Sequence, residues 1–70
     1  MNTHYDRSTD SLHIKVREIP ATTSRVVDDD FVIDNGADGQ PVGYEIQHAS
    51  ERQQLVATLI LERTPAAAAE

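Results

Sequence analysis

The sequence predicts an α+β domain, in which a small antiparallel sheet of two β-hairpins, about four strands, is followed by one C-terminal helix. Residues 11–18 and 41–48 alternate apolar and polar side chains with the period of half-buried strands. After Ala49 the apolar residues recur at helical spacing instead. Because the chain has 70 residues and no cysteine, we expect one domain without disulfides over residues 1–64 and a flexible tail over residues 65–70.

The first hairpin is predicted from the segment SLHIKVRE and the residues that precede it. The run DRSTD consists of turn formers, whose short side chains can bond their own backbone. The segment NTHY before that turn contains Tyr5, which is a strand former. If Tyr5 lies opposite Leu12 in this hairpin, then His4 lies opposite His13.

The second hairpin is predicted from RVVDDDFVID and PVGYEIQH, and Pro20 marks the connection from the first hairpin. Since aspartate is a poor strand residue, we expect a bulge or a turn within Asp28–Asp30. The last strand contains Gly43, and a glycine inside a strand is typical of a bulge or of a close backbone approach.

The helix is predicted from a capping box, Ser50 followed by Gln53, and from an apolar stripe between Leu55 and Ile60. Pro65 is expected to end it. The run LVATLIL is also rich in β-branched residues, so a fifth strand over residues 55–61 is the alternative. The predicted core consists of Leu12, Ile14, Val16, Val42, Tyr44 and Ile46 packed against Leu55, Val56 and Leu59.

The chain is acidic, with twelve acidic residues against six basic ones and a net charge of −6 at pH 7. This charge repels phosphate backbones and attracts basic proteins or cations, so we expect no direct binding to nucleic acid. The sequence has neither an apolar run of membrane-spanning length nor the pattern of a signal peptide. Together with the lack of cysteine, these features predict a soluble, cytoplasmic protein that does not bind membranes.

The segment DNGADGQPVGYE, residues 34–45, carries acidic residues at the first, fifth and twelfth positions of an EF-hand calcium loop and glycine at the sixth. Its third position is Gly36 and its ninth is Val42, neither of which offers a side-chain oxygen. The Asn-Gly and Asp-Gly pairs within the segment are typical of hairpin turns. We therefore predict a hairpin loop that does not bind calcium.

The segments HYDRSTDSLHIKV and VIDNGADGQPVGYEIQHAS resemble the family catalogued as domain of unknown function 2283. Its members look like a Tyr-Asp turn followed by Asp-x-Leu-aromatic-Ile, an acidic hairpin leading into Val-Gly-Ile-Glu-Ile, and an Ala-Ser helix start. The resemblance implies a small antiparallel β-domain of bacterial type and supplies no established activity. Members often carry glycine where this chain has Asp30, which suggests a left-handed backbone there. The matching residues are Tyr5, Asp6, Asp10, Leu12, Ile14, Asp34, Asp38, Gly39, Val42, Gly43, Glu45, Ile46, Ala49 and Ser50.

Five side chains are weak candidates for a metal site. His4 and His13 could share a transition metal across two strands, and the carboxylates of Asp34, Asp38 and Glu45 could attract a cation. Each set lacks a further ligand. Glu45 could pair with either aspartate in acid–base catalysis, but no apolar pocket is predicted around them to shift a pKa. We therefore predict no enzymatic activity, no catalytic residue and no cofactor.

Two hypotheses for the function follow. The first is a non-enzymatic protein-interaction module, which either self-associates or acts as an antitoxin-like partner of a basic protein. Ile60 and Leu61 are its predicted interaction residues, because one sheet covers one side of a helix that is apolar on more than one side. The alternative is a metal- or small-ligand-binding domain that uses the acidic loop or the histidines. The missing ligands favour the first hypothesis.

Overall fold

The computed structural model describes residues 2–62, whose five strands form one antiparallel sheet. The strands are β1 (Asn2–Asp6), β2 (Ser11–Lys15), β3 (Thr23–Asp28), β4 (Phe31–Asn35) and β5 (Pro41–Gln47). A 3₁₀ turn, Ala49–Glu51, precedes helix α1, Gln53–Glu62. The predicted tail, residues 65–70, and the predicted end of the helix at Pro65 lie outside the described residues.

The α+β class with an antiparallel sheet and a C-terminal helix is confirmed, but the predicted number of strands is wrong. The segment RVVDDDFVID forms two strands, β3 and β4, because the chain reverses its direction between them. The Asp28 carboxylate accepts a hydrogen bond from the Asp30 backbone N–H at 2.8 Å, which stabilises the reversal. A register shift between Val26 and Asp28 marks the irregularity that accompanies it. Residues 55–61 are helical, so the alternative of a strand there is wrong.

The strand order is β1-β2-β5-β4-β3. Strands β3, β4 and β5 are consecutive in the chain, and each pairs antiparallel with the next. Strand β2 pairs antiparallel with β5, so the connection from β2 leads to β3 at the far edge of the sheet. In the first hairpin Tyr5 does lie opposite Leu12, so His4 lies opposite His13. Strands β1 and β3 form the two edges of the sheet, and every residue of both is exposed.

The core lies between one face of the sheet and helix α1. Ile14 and Ile46 at its centre are 1% and 0% exposed, and Leu59 brings the helix against them. Most of the predicted core is confirmed, although Val16, Leu55 and Val56 are half-buried. The prediction did not include Phe31 and Ala49. The buried apolar side chains are Leu12, Ile14, Phe31, Val42, Tyr44, Ile46, Ala49 and Leu59.

Asp10 connects the turn between β1 and β2 to the start of the helical segment. Its carboxylate accepts hydrogen bonds from the Tyr5 hydroxyl at 2.6 Å, the Ser50 backbone N–H at 3.0 Å and the Ser50 hydroxyl at 2.7 Å. Its backbone carbonyl accepts a further bond from the Ala49 N–H at 3.0 Å. Four hydrogen bonds thus converge on one residue, which joins three segments of the chain.

Two details of the backbone differ from the sequence predictions. The Ser50 hydroxyl donates to Asp10 rather than capping α1, and the Gln53 side-chain amide donates to the Ser50 carbonyl at 3.1 Å. The predicted capping box is therefore absent, and Ser50 lies instead in a 3₁₀ turn that is hydrogen-bonded to Asp10. The left-handed backbone predicted at Asp30 occurs instead at Asp10 and His48, each with φ of 54°.

Truncating Ile46 tests how strongly the core limits stability. Ile46→Ala removes a fully buried side chain and leaves a cavity, so the free energy of unfolding should fall by about 3 kcal/mol. The control Val26→Ala changes a side chain that is 71% exposed, and its effect should stay within about 0.5 kcal/mol. Chemical denaturation followed by circular dichroism measures both. Equal losses in the two variants would contradict the described core.

The Asp10 contacts predict an acid-sensitive contribution to stability. The hydrogen bonds from Tyr5 and then from Ser50 lower the pKa of Asp10. The stabilisation is therefore fully present above the ordinary carboxyl pKa of about 3.9 and is lost as the pH falls through the lowered value. Asp10→Asn should lower the melting temperature at neutral pH by several degrees, about the shift that a small loss of unfolding free energy causes in a domain of this size. This difference from the natural chain should shrink in strong acid. Exposed Asp29, changed to Asn, is the control and should show neither effect. A pH-independent loss would show that charge at Asp10 is irrelevant.

Candidate functional site

The sheet face opposite helix α1 brings together four of the five predicted metal candidates. Strand pairing places His4 of β1 beside His13 of β2, and His13 beside Glu45 of β5. Asp34 of β4 lies opposite Gly43 of β5, two residues along that strand from Glu45. Side chains two residues apart on a strand point to the same face, so these residues share one surface.

These residues line an open groove of about 510 Å³, which we call the outer groove. The connection between β2 and β3 contributes Ile19, Pro20 and Ala21 to its lining. Ile19 is 42% exposed, so the groove combines an apolar part with titratable side chains. The sequence pattern did not indicate this part of the groove, because Pro20 marks a connection without showing where that connection packs.

Gly43 permits the close approach of β5 to β2 beneath the groove. A Cβ atom at this position would lie 3.1 Å from the Ile14 carbonyl oxygen and 3.9 Å from Asp34 Oδ2. The first distance is shorter than an ordinary carbon–oxygen contact, and the carbonyl belongs to a paired strand that cannot move freely. The close backbone approach predicted for this glycine is therefore confirmed. A side chain here would also reduce the space next to Asp34.

A carboxyl pair is the most unusual feature of the outer groove. Glu45 and Asp34 share a hydrogen bond, and this bond is the main cause that raises the pKa of Glu45. Partial burial and the negative charge of Asp34 act in the same direction, whereas nearby His13 lowers the Glu45 pKa. Asp34 Oδ1 also accepts a hydrogen bond from the Ser24 hydroxyl at 2.8 Å. Because two carboxylates cannot donate to each other, this contact favours the protonated form of Glu45.

Asp38, the fifth candidate, has a different partner in the loop between β4 and β5. The Arg17 guanidinium donates to both of its carboxylate oxygens at 2.9 Å. The same guanidinium donates to the carbonyl oxygens of Gln40 at 2.8 Å and Pro41 at 3.1 Å. This bidentate pair holds the pKa of Asp38 well below its ordinary range. Arg17 therefore supplies the positive charge that the acidic loop attracts.

The predicted metal candidates thus divide between the outer groove and the Arg17–Asp38 ion pair. Within residues 2–62, no group of three or more histidine or carboxylate side chains is arranged to hold a metal ion. What the groove offers chemically is a pair of neighbouring carboxyl groups, which can accept hydrogen bonds, with the His13 imidazole beside them. Its Glu45 side chain is 41% exposed, so water reaches the pair.

A second groove, of about 430 Å³, lies on the helix side of the sheet between β1 and α1, and we call it the apolar groove. Ile60, a predicted interaction residue, lines this groove and packs partly against the core. Leu61, the other predicted residue, is 60% exposed and lies one helical turn beyond Ala57. None of the lining side chains is charged. They are Tyr5, Leu12, Ala49, Ser50, Gln53, Val56, Ala57 and Ile60.

A family model described as a protein of unknown function, DUF2283, matches residues 2–50. The chain belongs to this family. The DUF2283 match spans all five strands and ends in the 3₁₀ turn, so it includes the outer groove and the Asp10 contacts but precedes helix α1. Neither a curated protein nor a solved structure matched the chain. Among the described residues, no helix is long and apolar enough to cross a membrane.

The residues that carry the DUF2283 resemblance occupy distinct places in the fold. Tyr5, Asp10 and Ser50 form the hydrogen-bonded junction before the helix. Asp34 and Glu45 form the carboxyl pair of the outer groove. The sequence analysis treated these two residues as a possible acid–base pair for which no pocket was predicted. The register of β4 and β5 places both of them in a groove.

We predict that millimolar calcium leaves residues 34–45 unchanged. Arg17 neutralises Asp38, and Glu45 shares a hydrogen bond with Asp34, so the three carboxyl groups do not converge on one point. A titration followed by amide NMR shifts should show no saturable change shared by the three residues. Arg17→Ala is the matched variant, in which a weak shift at Asp38 alone is expected. A joint, saturable shift in the natural sequence would contradict the assignment of this segment as a hairpin loop.

Proposed function

We propose that this DUF2283 domain is a non-enzymatic protein-interaction module that associates with a second copy of itself through the apolar groove. The observation that carries the proposal is the groove between β1 and α1, which has an uncharged lining. Tyr5, which is 45% exposed, lies in this lining. Leu61, which is 60% exposed, lies one helical turn beyond Ala57, another residue of the lining.

The groove exists because the helix covers the sheet incompletely. Leu59 is buried against the core, while Val56 and Ile60 on the neighbouring side of α1 are half-buried. Strand β1 lies at the edge of the sheet, and all of its residues are exposed. An apolar surface left open between an edge strand and a helix is typical of a site that binds protein. A 70-residue domain also has little core of its own, so burying this surface would add stability.

A second copy fits the groove by chemistry. In a two-fold dimer the same surface occurs on both partners, so Leu61 of each copy can contact the groove of the other. The lining contains no charged side chain, so the contact itself does not place like charges together. The net charge of −6 on each chain still repels at long range, and salt screens that repulsion. Association is therefore expected to strengthen as the salt concentration rises.

The open outer groove supports the non-enzymatic part of the proposal. Acid–base catalysis depends on groups that are oriented in a site from which water is excluded. The raised pKa of Glu45 arises mainly from its hydrogen bond with Asp34, while its side chain remains 41% exposed. These carboxyl groups favour a second candidate function, in which a basic partner, for example a toxin bound by an antitoxin-like module, docks on the outer groove.

Leu61→Asp tests the proposed dimer. In the natural chain, sedimentation equilibrium should give a mass that rises from 7.7 kDa toward twice that value with concentration. Placing a carboxylate at an apolar contact should weaken association at least about tenfold, which corresponds to roughly 1.4 kcal/mol. Thr58→Asp, at an exposed position of the same helix outside the groove, is the control and should associate normally.

Circular dichroism of both helix variants should match the natural chain, which separates loss of association from loss of folding. Ile60→Asp is less suitable, because Ile60 also packs against the core. A mass that stays at one chain over the whole concentration range, at low and high salt, would contradict self-association. Equal weakening by Leu61→Asp and Thr58→Asp would show that the contact lies elsewhere.

A further inference from the structure

The outer groove contains a row of titratable side chains contributed by three neighbouring strands. His13 Nε2 of β2 lies 4.0 Å from Glu45 Oε1 of β5, and Glu45 shares a hydrogen bond with Asp34 of β4. Ser24 of β3 holds Asp34 from its other side at 2.8 Å. Strand pairing fixes the backbone under every member of the row, so the three ionisable groups stay close together.

His4 and Lys15 also line the outer groove. His4 of β1 lies next to His13 and further from the carboxyl pair in the order of strands. Lys15 of β2 has a carboxylate partner in Glu18, at 3.6 Å from Nζ. The lysine charge is therefore directed toward the connection after β2. Among residues 2–62, the contacts given above place no lysine or arginine between Asp34 and Glu45, and their own hydrogen bond raises the pKa of Glu45.

We propose that Asp34 and Glu45, beside His13, form a proton-binding site that changes the charge of the outer groove with pH. When Glu45 holds a proton, the carboxyl pair carries at most one negative charge. After this proton leaves, the pair carries two negative charges. Two neighbouring carboxyl groups release their last proton at higher pH than an isolated carboxyl group.

The switch lies on the face opposite the apolar groove and does not depend on self-association. Its consequence is electrostatic, since a cationic group that approaches the outer groove meets negative charge at neutral pH and little in acid. The protonation of Glu45 also makes the stability of the fold depend on pH in a defined direction. The raised pKa of Glu45 means that the folded chain holds its proton to higher pH than the unfolded chain. The resulting stabilisation is fully present below the ordinary glutamate pKa and is lost as the pH rises through the raised value.

Carbon-13 NMR of the side-chain carboxyl groups, recorded as a function of pH on the full chain, tests the site. The titration midpoint of Glu45 should lie at higher pH than that of the same carboxyl group in the chain unfolded by urea. Asp34→Asn should lower the Glu45 midpoint, because it removes a neighbouring carboxyl group whose hydrogen bond and negative charge both raise the pKa of Glu45. His13→Gln should raise it, because it removes a positive neighbour. Opposite shifts from two uncharged polar replacements cannot arise from a general loss of structure.

Glu51→Gln, at an exposed position in the 3₁₀ turn outside the groove, is the control and should leave the Glu45 midpoint unchanged. Amide spectra of each variant establish that the sheet is retained. The proposal is overturned if Glu45 titrates at the same pH in the folded and the unfolded chain. It is also overturned if Asp34→Asn and His13→Gln shift the Glu45 midpoint in the same direction.

Discussion

The pairing of β2 with β5 is the contact on which both faces of the domain depend. It joins the first hairpin to the three consecutive strands β3, β4 and β5, and it connects residues that are far apart in the sequence. One register sets both surfaces, since it places Leu12 opposite Ile46 in the core and His13 opposite Glu45 in the outer groove. The same register brings Gly43 against the β2 backbone, where an added Cβ atom would lie only 3.1 Å from the Ile14 carbonyl oxygen.

Aspartates at the turns hold this sheet to the rest of the chain. Asp10 accepts hydrogen bonds from the start of the helical segment. Asp28, at the end of β3, accepts two from the Arg52 guanidinium at 3.0 Å, just before α1. Asp38 is bound by Arg17 from the connection after β2. Each contact is at least partly exposed and individually weak, but each joins a turn to a distant segment. Part of the acidic composition therefore has a structural purpose.

Local patterns predicted the parts of this fold that depend on neighbouring residues. Strict alternation identified β2 and β5, and the turn formers between β1 and β2 marked the first hairpin. Strand β3 was not separated from β4, because all its residues are exposed and it has no buried side to produce a pattern. The neighbour of Glu45 on β2 could not be predicted, since the β2–β5 pairing joins distant segments and the sequence does not encode it locally.

The side chains of β5 point alternately to the two faces of the sheet, so single substitutions in this strand can change one face at a time. Tyr44 and Ile46 point into the core, whereas Gly43 and Glu45, which alternate with them along the strand, line the outer groove. A change at Tyr44 or Ile46 therefore acts first on stability, through the packing beneath helix α1. A change at Glu45 alters the charge of the opposite face while the buried side chains on either side keep the strand in register. Because helix α1 contacts the inner face, the outer groove can change its protonation without a change at the apolar groove.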